Sequence, residues 1–199
     1  LEHPLELLLI RHGQSQFNVD STGGFDSALT DLGCEQARRL APWVALNFQP
    51  AAFYASPMQR ARQTAELIQP ALALPIQFRD DLCEVDFEIG PVMPQFATPS
   101  IAIGGDTFSV SDLDERYAAF QTRVLAAFHD ILRQHDAGTI LIVTHGGVIA
   151  TMLRTIFGGH HVSVHADNTS ATLLRWENSR WYLVYSNRVE HLLGLDVGG

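Results

Sequence analysis

Leu5-Glu6-Leu7-Leu8-Leu9-Ile10-Arg11-His12-Gly13 is the stretch on which the reading of this chain turns. Leu5 to Ile10 is almost continuously apolar, as a strand buried on both faces of a parallel sheet must be. It stops abruptly at an arginine, a histidine and a glycine. In an open α/β sheet, ligands sit outside the carboxyl ends of the strands. A guanidinium and a titratable nucleophile there, with glycine permitting close backbone approach, point to an anion handled by covalent chemistry. Thr139-Ile140-Leu141-Ile142-Val143-Thr144-His145-Gly146-Gly147 has the same grammar. Two histidines at two strand ends, His12 and His145, are the predicted centre.

Working outward, Gly13 to Leu29 is polar and reads as a loop. A helix is predicted from the N-cap Thr30, with Asp31 at its positive end. Ala37, Leu40, Ala41, Val44 and Phe48 mark its buried face. Ala52 to Ala55 is a short strand. Ser56-Pro57-Met58-Gln59 reads as a capping box, with Ser56 at the N-cap and Pro57 first in the helix. That helix carries Ala61, Ala65, Ile68 and Leu72 on one face, and Arg60 and Arg62 in its opening turns.

Ile76 to Phe78 is a minor strand, Leu82 to Glu88 is mixed and acidic, and Pro91 to Gly105 reads as a long loop. Leu113, Tyr117, Phe120, Val124, Phe128 and Ile131 stand at helical spacing. His145-Gly146-Gly147 opens a helix that buries Val148, Met152 and Ile156. His160 to Asn168 is a connector. Ala171 to Trp176 and Trp181 to Tyr185 read as a closing hairpin. The alternation of strands and helices predicts an α/β fold with a mainly parallel central sheet, in one domain over residues 1–199.

Composition narrows the function. The net charge of -9 leaves no footprint for nucleic acid. All 13 basic residues are arginine, which removes any Schiff-base lysine and any Walker-type phosphate loop. Cys34 and Cys83 form no disulfide framework and no zinc spacing, and are expected as thiols in a reducing cytoplasm. The N-terminal apolar run is short and contains Glu6, so it reads as neither signal peptide nor membrane span.

Three strand-to-turn junctions deliver Arg11 with His12, Arg60, and His145. If the strands are parallel neighbours, all four side chains meet at one sheet edge. Two of the junctions also open helices, whose free N–H groups favour an anion. Guanidiniums grip phosphate oxygens in a bidentate fork. The sequence shows no HExxH, no Cys/His cluster and no close carboxylate set, so no metal is expected. The phosphate charge is then balanced by Arg, His and backbone N–H alone.

These residues carry a family resemblance. Arg11-His12-Gly13-Gln14-Ser15-Gln16-Phe17-Asn18 resembles the R-H-G-E-x-x-x-N signature of the histidine phosphatase superfamily, the phosphoglycerate-mutase-like proteins. Asp26 to Gly33 is similar to its D-x-P-L-T-x-x-G, with Ala28 in place of Pro. Tyr54 to Ala65 resembles its S-S-P-x-x-R-A-x-x-T-A. Leu82-Cys83-Glu84 looks like L-x-E, Val143 to Gly147 like V-T/S-H-G-G, and Asn187 to Leu192 like the usual ending. The matches run in family order over nearly the whole chain. The family's F-G-x-W-E-G is represented only by Phe87-Glu88-Ile89-Gly90, in the region that shapes the leaving-group pocket.

The resemblance implies a three-layer α/β/α sandwich and a metal-independent phosphomonoesterase needing no cofactor. His12 is implied as nucleophile, Arg11, Arg60 and His145 as phosphate ligands, and Glu84 as general acid. Asn18, Gly24 and the backbone of Gly146 are implied to bind phosphate or substrate. The chemistry fits those types: nearby cations keep an imidazole neutral and nucleophilic, and a backbone carbonyl on its other nitrogen fixes the tautomer. Two rivals are a phosphoglycerate mutase, for which the chain is short, and a silent phosphate- or partner-binding relic. The expected partner is a small phosphorylated substrate, with no nucleic acid and no membrane; a homodimer is allowed. His160, His161 and His165 read as loop histidines, Trp176 and Trp181 as hairpin packing, and Phe25 as a residue that could touch substrate.

Overall fold

A computed structural model describes residues 4–20, 23–94 and 113–195. Its centre is a six-stranded sheet in the order β3-β2-β4-β1-β5-β6. The strands are β1 (Leu5–Arg11), β2 (Pro50–Ala55), β3 (Ile76–Phe78), β4 (Gly138–Thr144), β5 (Ala171–Glu177) and β6 (Arg180–Arg188). The first four run parallel; β5 and β6 close one side as an antiparallel hairpin. Its turn is two residues long, Asn178 and Ser179, both at positive φ, as the twist of a tight hairpin requires.

Helices α1 (Gln16–Val19), α2 (Asp31–Asn47), α3 (Gln59–Leu72), α4 (Glu115–Leu132) and α5 (Gly146–Phe157) complete the described elements of regular structure, together with short 3-10 turns. The alternation of β1 explains the layers. Leu7 and Leu9 point to the side of α4 and α5, joining Tyr117, Val124, Phe128, Val148 and Met152. Leu8 and Ile10 point to the side of α2 and α3, joining Leu40, Val44, Ala61 and Ile68. The result is a three-layer α/β/α sandwich with a mainly parallel sheet. All four of these β1 side chains are wholly buried, which is why the run is apolar without alternation.

Thr30 caps α2, its side chain accepting from the Gly33 N–H at 3.0 Å. Two sequence expectations need correction. The stretch Gly13 to Leu29 is not all loop, because it contains α1. Ser56 is not the N-cap of α3, which starts at Gln59 behind Met58. Ser56 is drawn back to the sheet, where its N–H donates to the Val143 carbonyl at 3.0 Å, and its hydroxyl is used elsewhere. Of the predicted loop at 91–105, residues 95–105 lie outside the described residues; Gly90–Val92 forms a 3-10 turn.

Candidate active site

Register decides which side chains meet. β1 and β4 are paired so that Arg11 stands opposite Thr144. The next residues, His12 and His145, therefore leave the sheet side by side, and the His12 N–H donates to the Thr144 carbonyl at 2.9 Å. The ring centroids are 5.1 Å apart at 60°. β2 lies on the other side of β4, with Ala55 opposite Val143, so Arg60 in the first turn of α3 arrives at the same edge.

His12 is held by both nitrogens. Nδ1 lies 2.7 Å from the Gly13 carbonyl and Nε2 lies 3.0 Å from Arg60 Nε. Guanidinium can only donate and carbonyl can only accept, so Nδ1 carries the proton and Nε2 offers its lone pair. Burial pushes the His12 pKa well below its usual value, and Arg11 and Arg60 push it further. His145 is likewise held well below, by burial first and then by the charges around it. Both rings are thus neutral at pH 7.

His145 Nε2 is 2.8 Å from the Ser56 hydroxyl, which is where that misread serine is spent. Arg11 Nη1 donates to the Ala166 carbonyl, and Arg60 Nη1 to that of Phe25. Two buried polar atoms of this floor, Arg11 Nε and His145 Nδ1, have no hydrogen-bond partner. Each such orphan costs ~1–3 kcal/mol. A tetrahedral anion against His12 would lie beside the start of α5, the positive end of that helix.

Glu84 closes the site from the side. Its Oε2 accepts from the Gly147 N–H at 2.8 Å and its Oε1 from the Val85 N–H at 3.2 Å. A Cβ on residue 147 would lie 2.3 Å from Glu84 Oε1, so only glycine permits this approach. Burial raises the Glu84 pKa, against the opposing pull of the two N–H groups, Arg60 and Arg11. The site therefore holds a lone-pair nitrogen, two guanidiniums and a carboxyl biased toward its protonated form.

These groups line a cavity of about 590 Å³. Arg11, His12, Asn18, Arg60, Glu84 and Gly146 all border it, and so does Phe25. Gly24 does not. It holds a φ of +72°, a left-handed conformation suited to glycine, and so shapes the turn that presents Phe25. His145 sits wholly buried behind His12.

Sequence reasoning missed the return segment before β5. Asn168 Nδ2 and the Thr169 N–H both donate to the His12 carbonyl, at 3.1 and 3.2 Å. Asn168 Nδ2 also reaches Asn18 Oδ1 at 3.3 Å. Thr169 holds a φ of +57°, uncommon for a β-branched residue. An Asn-Thr pair in an aperiodic connector gave no signal of this. Among the described residues, no group of three or more His, Cys, Asp or Glu is placed to hold a metal ion, and no helix is long and apolar enough to cross a membrane.

The profile of the histidine phosphatase superfamily (branch 1) matches residues 7–189. A putative phosphoserine phosphatase 2 of Hydrogenobacter thermophilus is 30% identical over 199 residues, covering 93% of this chain and 96% of that protein. Among solved structures, Bacillus stearothermophilus YhfR superposes with a TM-score of 0.73 at 26% identity, over 94% of this chain and 99% of that one. A phosphoserine phosphatase variant of Entamoeba histolytica, solved with phosphoserine, gives a TM-score of 0.70 at 24% identity, over 95% and 100%. Fold, strand-end histidines and family profile agree over nearly the same span, and the chain belongs to the histidine phosphatase superfamily as an enzyme of its phosphatase type.

Proposed function

We propose that the protein, acting as one domain without a metal or cofactor, hydrolyses a small organic phosphate monoester through a phosphohistidine at His12. The observation that carries this reading is the pair of hydrogen bonds that leaves Nε2 as the lone-pair nitrogen of a buried, neutral ring. In the first step Nε2 attacks phosphorus, the ester P–O bond breaks, and the leaving oxygen takes the proton of Glu84. In the second, water attacks phosphorus, Glu84 takes its proton, and the P–N bond breaks to release phosphate and neutral His12.

Arg11, Arg60 and His145 meet the charge spread over the three equatorial oxygens; such preorganised donors are the largest source of rate in phosphoryl transfer. Asn18 and the Gly146 N–H serve the bound phosphate or substrate. The raised pKa of Glu84 suits an acid that must hold its proton near neutrality and yield it in the transition state. The free thiols of Cys34 and Cys83 fit a reducing, cytoplasmic setting. The Hydrogenobacter relative's name makes phosphoserine a first compound to try.

The test is phosphate release from p-nitrophenyl phosphate and from a panel of phosphorylated metabolites, with trapping of an acid-labile phosphoenzyme. Both are expected in the wild type and neither in His12→Ala. Turnover without an acid-labile phosphoenzyme would refute the mechanism. Interconversion of 3- and 2-phosphoglycerate faster than phosphate release would replace hydrolysis by mutase chemistry.

A further inference from the structure

Arg154 is buried, at 7% exposure, in the wall of the cavity that holds His12. It lies on α5, the helix that begins beside His145. Gly146, Ala150 and Arg154 follow at four-residue spacing, share one face of the helix, and all border the cavity. At about 1.5 Å of rise per residue, Arg154 stands roughly 12 Å along the axis from Gly146. Ala150, in between, is too small to fill that space.

Its guanidinium is only partly used. Nε donates to the Val162 carbonyl at 2.7 Å, while Nη1 is buried without a hydrogen-bond partner. Among the described residues no carboxylate pairs with it. Asp167, two residues beyond the cavity-lining His165, is occupied by His165 and Asn187, each at 2.8 Å. Asp86 and Glu88 also border the cavity but form no ion pair with Arg154. A buried cation without a counter-ion is unfavourable, and arginine's planar fork is matched to a carboxylate. Propping the Val162 carbonyl explains Nε alone.

Resting on the phosphatase reading above, we propose that Arg154 is a second anchor for the substrate, gripping a carboxylate at the end remote from the phosphate. The substrate class is then a phosphorylated organic acid, with carboxylate and phosphorus separated by about one to two helical turns, ~5–11 Å. His165, exposed on the same wall, borders that end of the cavity as well. One guanidinium matches a monoanionic acid better than a phosphate dianion.

The experiment compares straight-chain ω-carboxyalkyl phosphates with alkyl phosphates of equal length and with the corresponding bisphosphates, using p-nitrophenyl phosphate as the acid-free control. The wild type should prefer the best carboxylated ester by about tenfold or more in kcat/KM, since a site built to pair a polar group rejects the analogue lacking it. In Arg154→Met that ratio should fall to within about twofold, mainly through KM, and Arg154→Lys should keep part of it. No preference in the wild type overturns the proposal whatever the variants do, so the test remains decisive even if Arg154→Met fails to fold. A preference that survives Arg154→Met overturns it too, as does an arginine-dependent preference for the bisphosphates. Failure of the wild type to turn over p-nitrophenyl phosphate as well as every ester overturns the phosphatase reading itself.

Discussion

On the floor of the cavity, His12 is tied to Gly13 and Arg60, His145 to Ser56, and Arg11 to Ala166. On the wall, Asp86 and Glu88 are exposed, and the chain from Val85 to Ile89 has no regular structure. The floor hangs from three adjacent parallel strands, so the register that builds the core also sets its geometry. That part of the wall hangs from irregular chain, and its exposed Asp86 and Glu88 can change without disturbing the sheet, whereas Ala150 and Arg154 line the cavity from α5. In this architecture the geometry of the floor is fixed by the sheet, while the exposed positions at 86 and 88 are free to vary.

The sharpest way to break that contrast is at the floor. His12→Ala should lower kcat/KM by at least about 10⁴-fold and abolish any phosphoenzyme, since loss of a nucleophile leaves only binding and electrostatic help. Residual activity near wild type would move the nucleophile elsewhere.

Next is Glu84, where floor and wall meet. Glu84→Gln should slow esters of poor leaving groups by roughly 10²–10³-fold and barely affect p-nitrophenyl phosphate. Equal slowing of both would remove its role as acid. Because burial raises this pKa, wild-type turnover of poor leaving groups should fall as pH rises through it and the proton is lost. That alkaline limb should vanish in the variant.

Ser56→Ala should be milder. It strips the hydroxyl from His145 Nε2 and leaves the ring free to exchange tautomers, with about a tenfold loss of kcat and ~1 kcal/mol of stability. Nitrogen-15 spectra of the His145 ring would report the change of tautomer. An unchanged spectrum would reduce Ser56 to a packing residue.

The smallest expected effect is thermal. His12 and His145 stay neutral when folded, whereas in the unfolded chain they bind protons near pH 6.5. The unfolded state therefore holds more protons below that pH, and stability falls with acid by up to about 1.4 kcal/mol per pH unit for each ring. Glu84 acts with opposite sign, stabilising the fold while protonated and losing that contribution as pH rises through its raised pKa. Melting curves from pH 7.5 to 5.5 should show a drop in Tm that is shallower in His145→Gln. An equal slope in both would mean that the ring protonates without unfolding.

What the sequence revealed follows the same division. β1 and β4 were legible because strands buried on both faces must be apolar without a break, and polar residues at their ends then stand out. Arg60 was legible because it follows β2 by five residues. Ser56 was misread because Ser-Pro before a helix is a strong local capping pattern; the competing tie to Val143 and His145 is long-range and leaves no local trace. The Asn168–Thr169 clamp and the Arg154 anchor escaped for the same reason. One lies in aperiodic chain, and the other sits in a helix whose overall apolarity reads simply as core. Gly24 was assigned by resemblance alone, and its neighbour Phe25 is the residue that reaches the cavity.

Nε2 of His12 has a single lone pair, and Arg60 Nε occupies it at 3.0 Å. A bond to phosphorus needs the same electrons, so the arginine must let go as the ring is charged. On the proposed phosphohistidine mechanism, the guanidinium that keeps the nitrogen aimed between turnovers is thereby released to the oxygens of the incoming group at the moment they arrive. Loading the enzyme is thus an exchange of one contact for another.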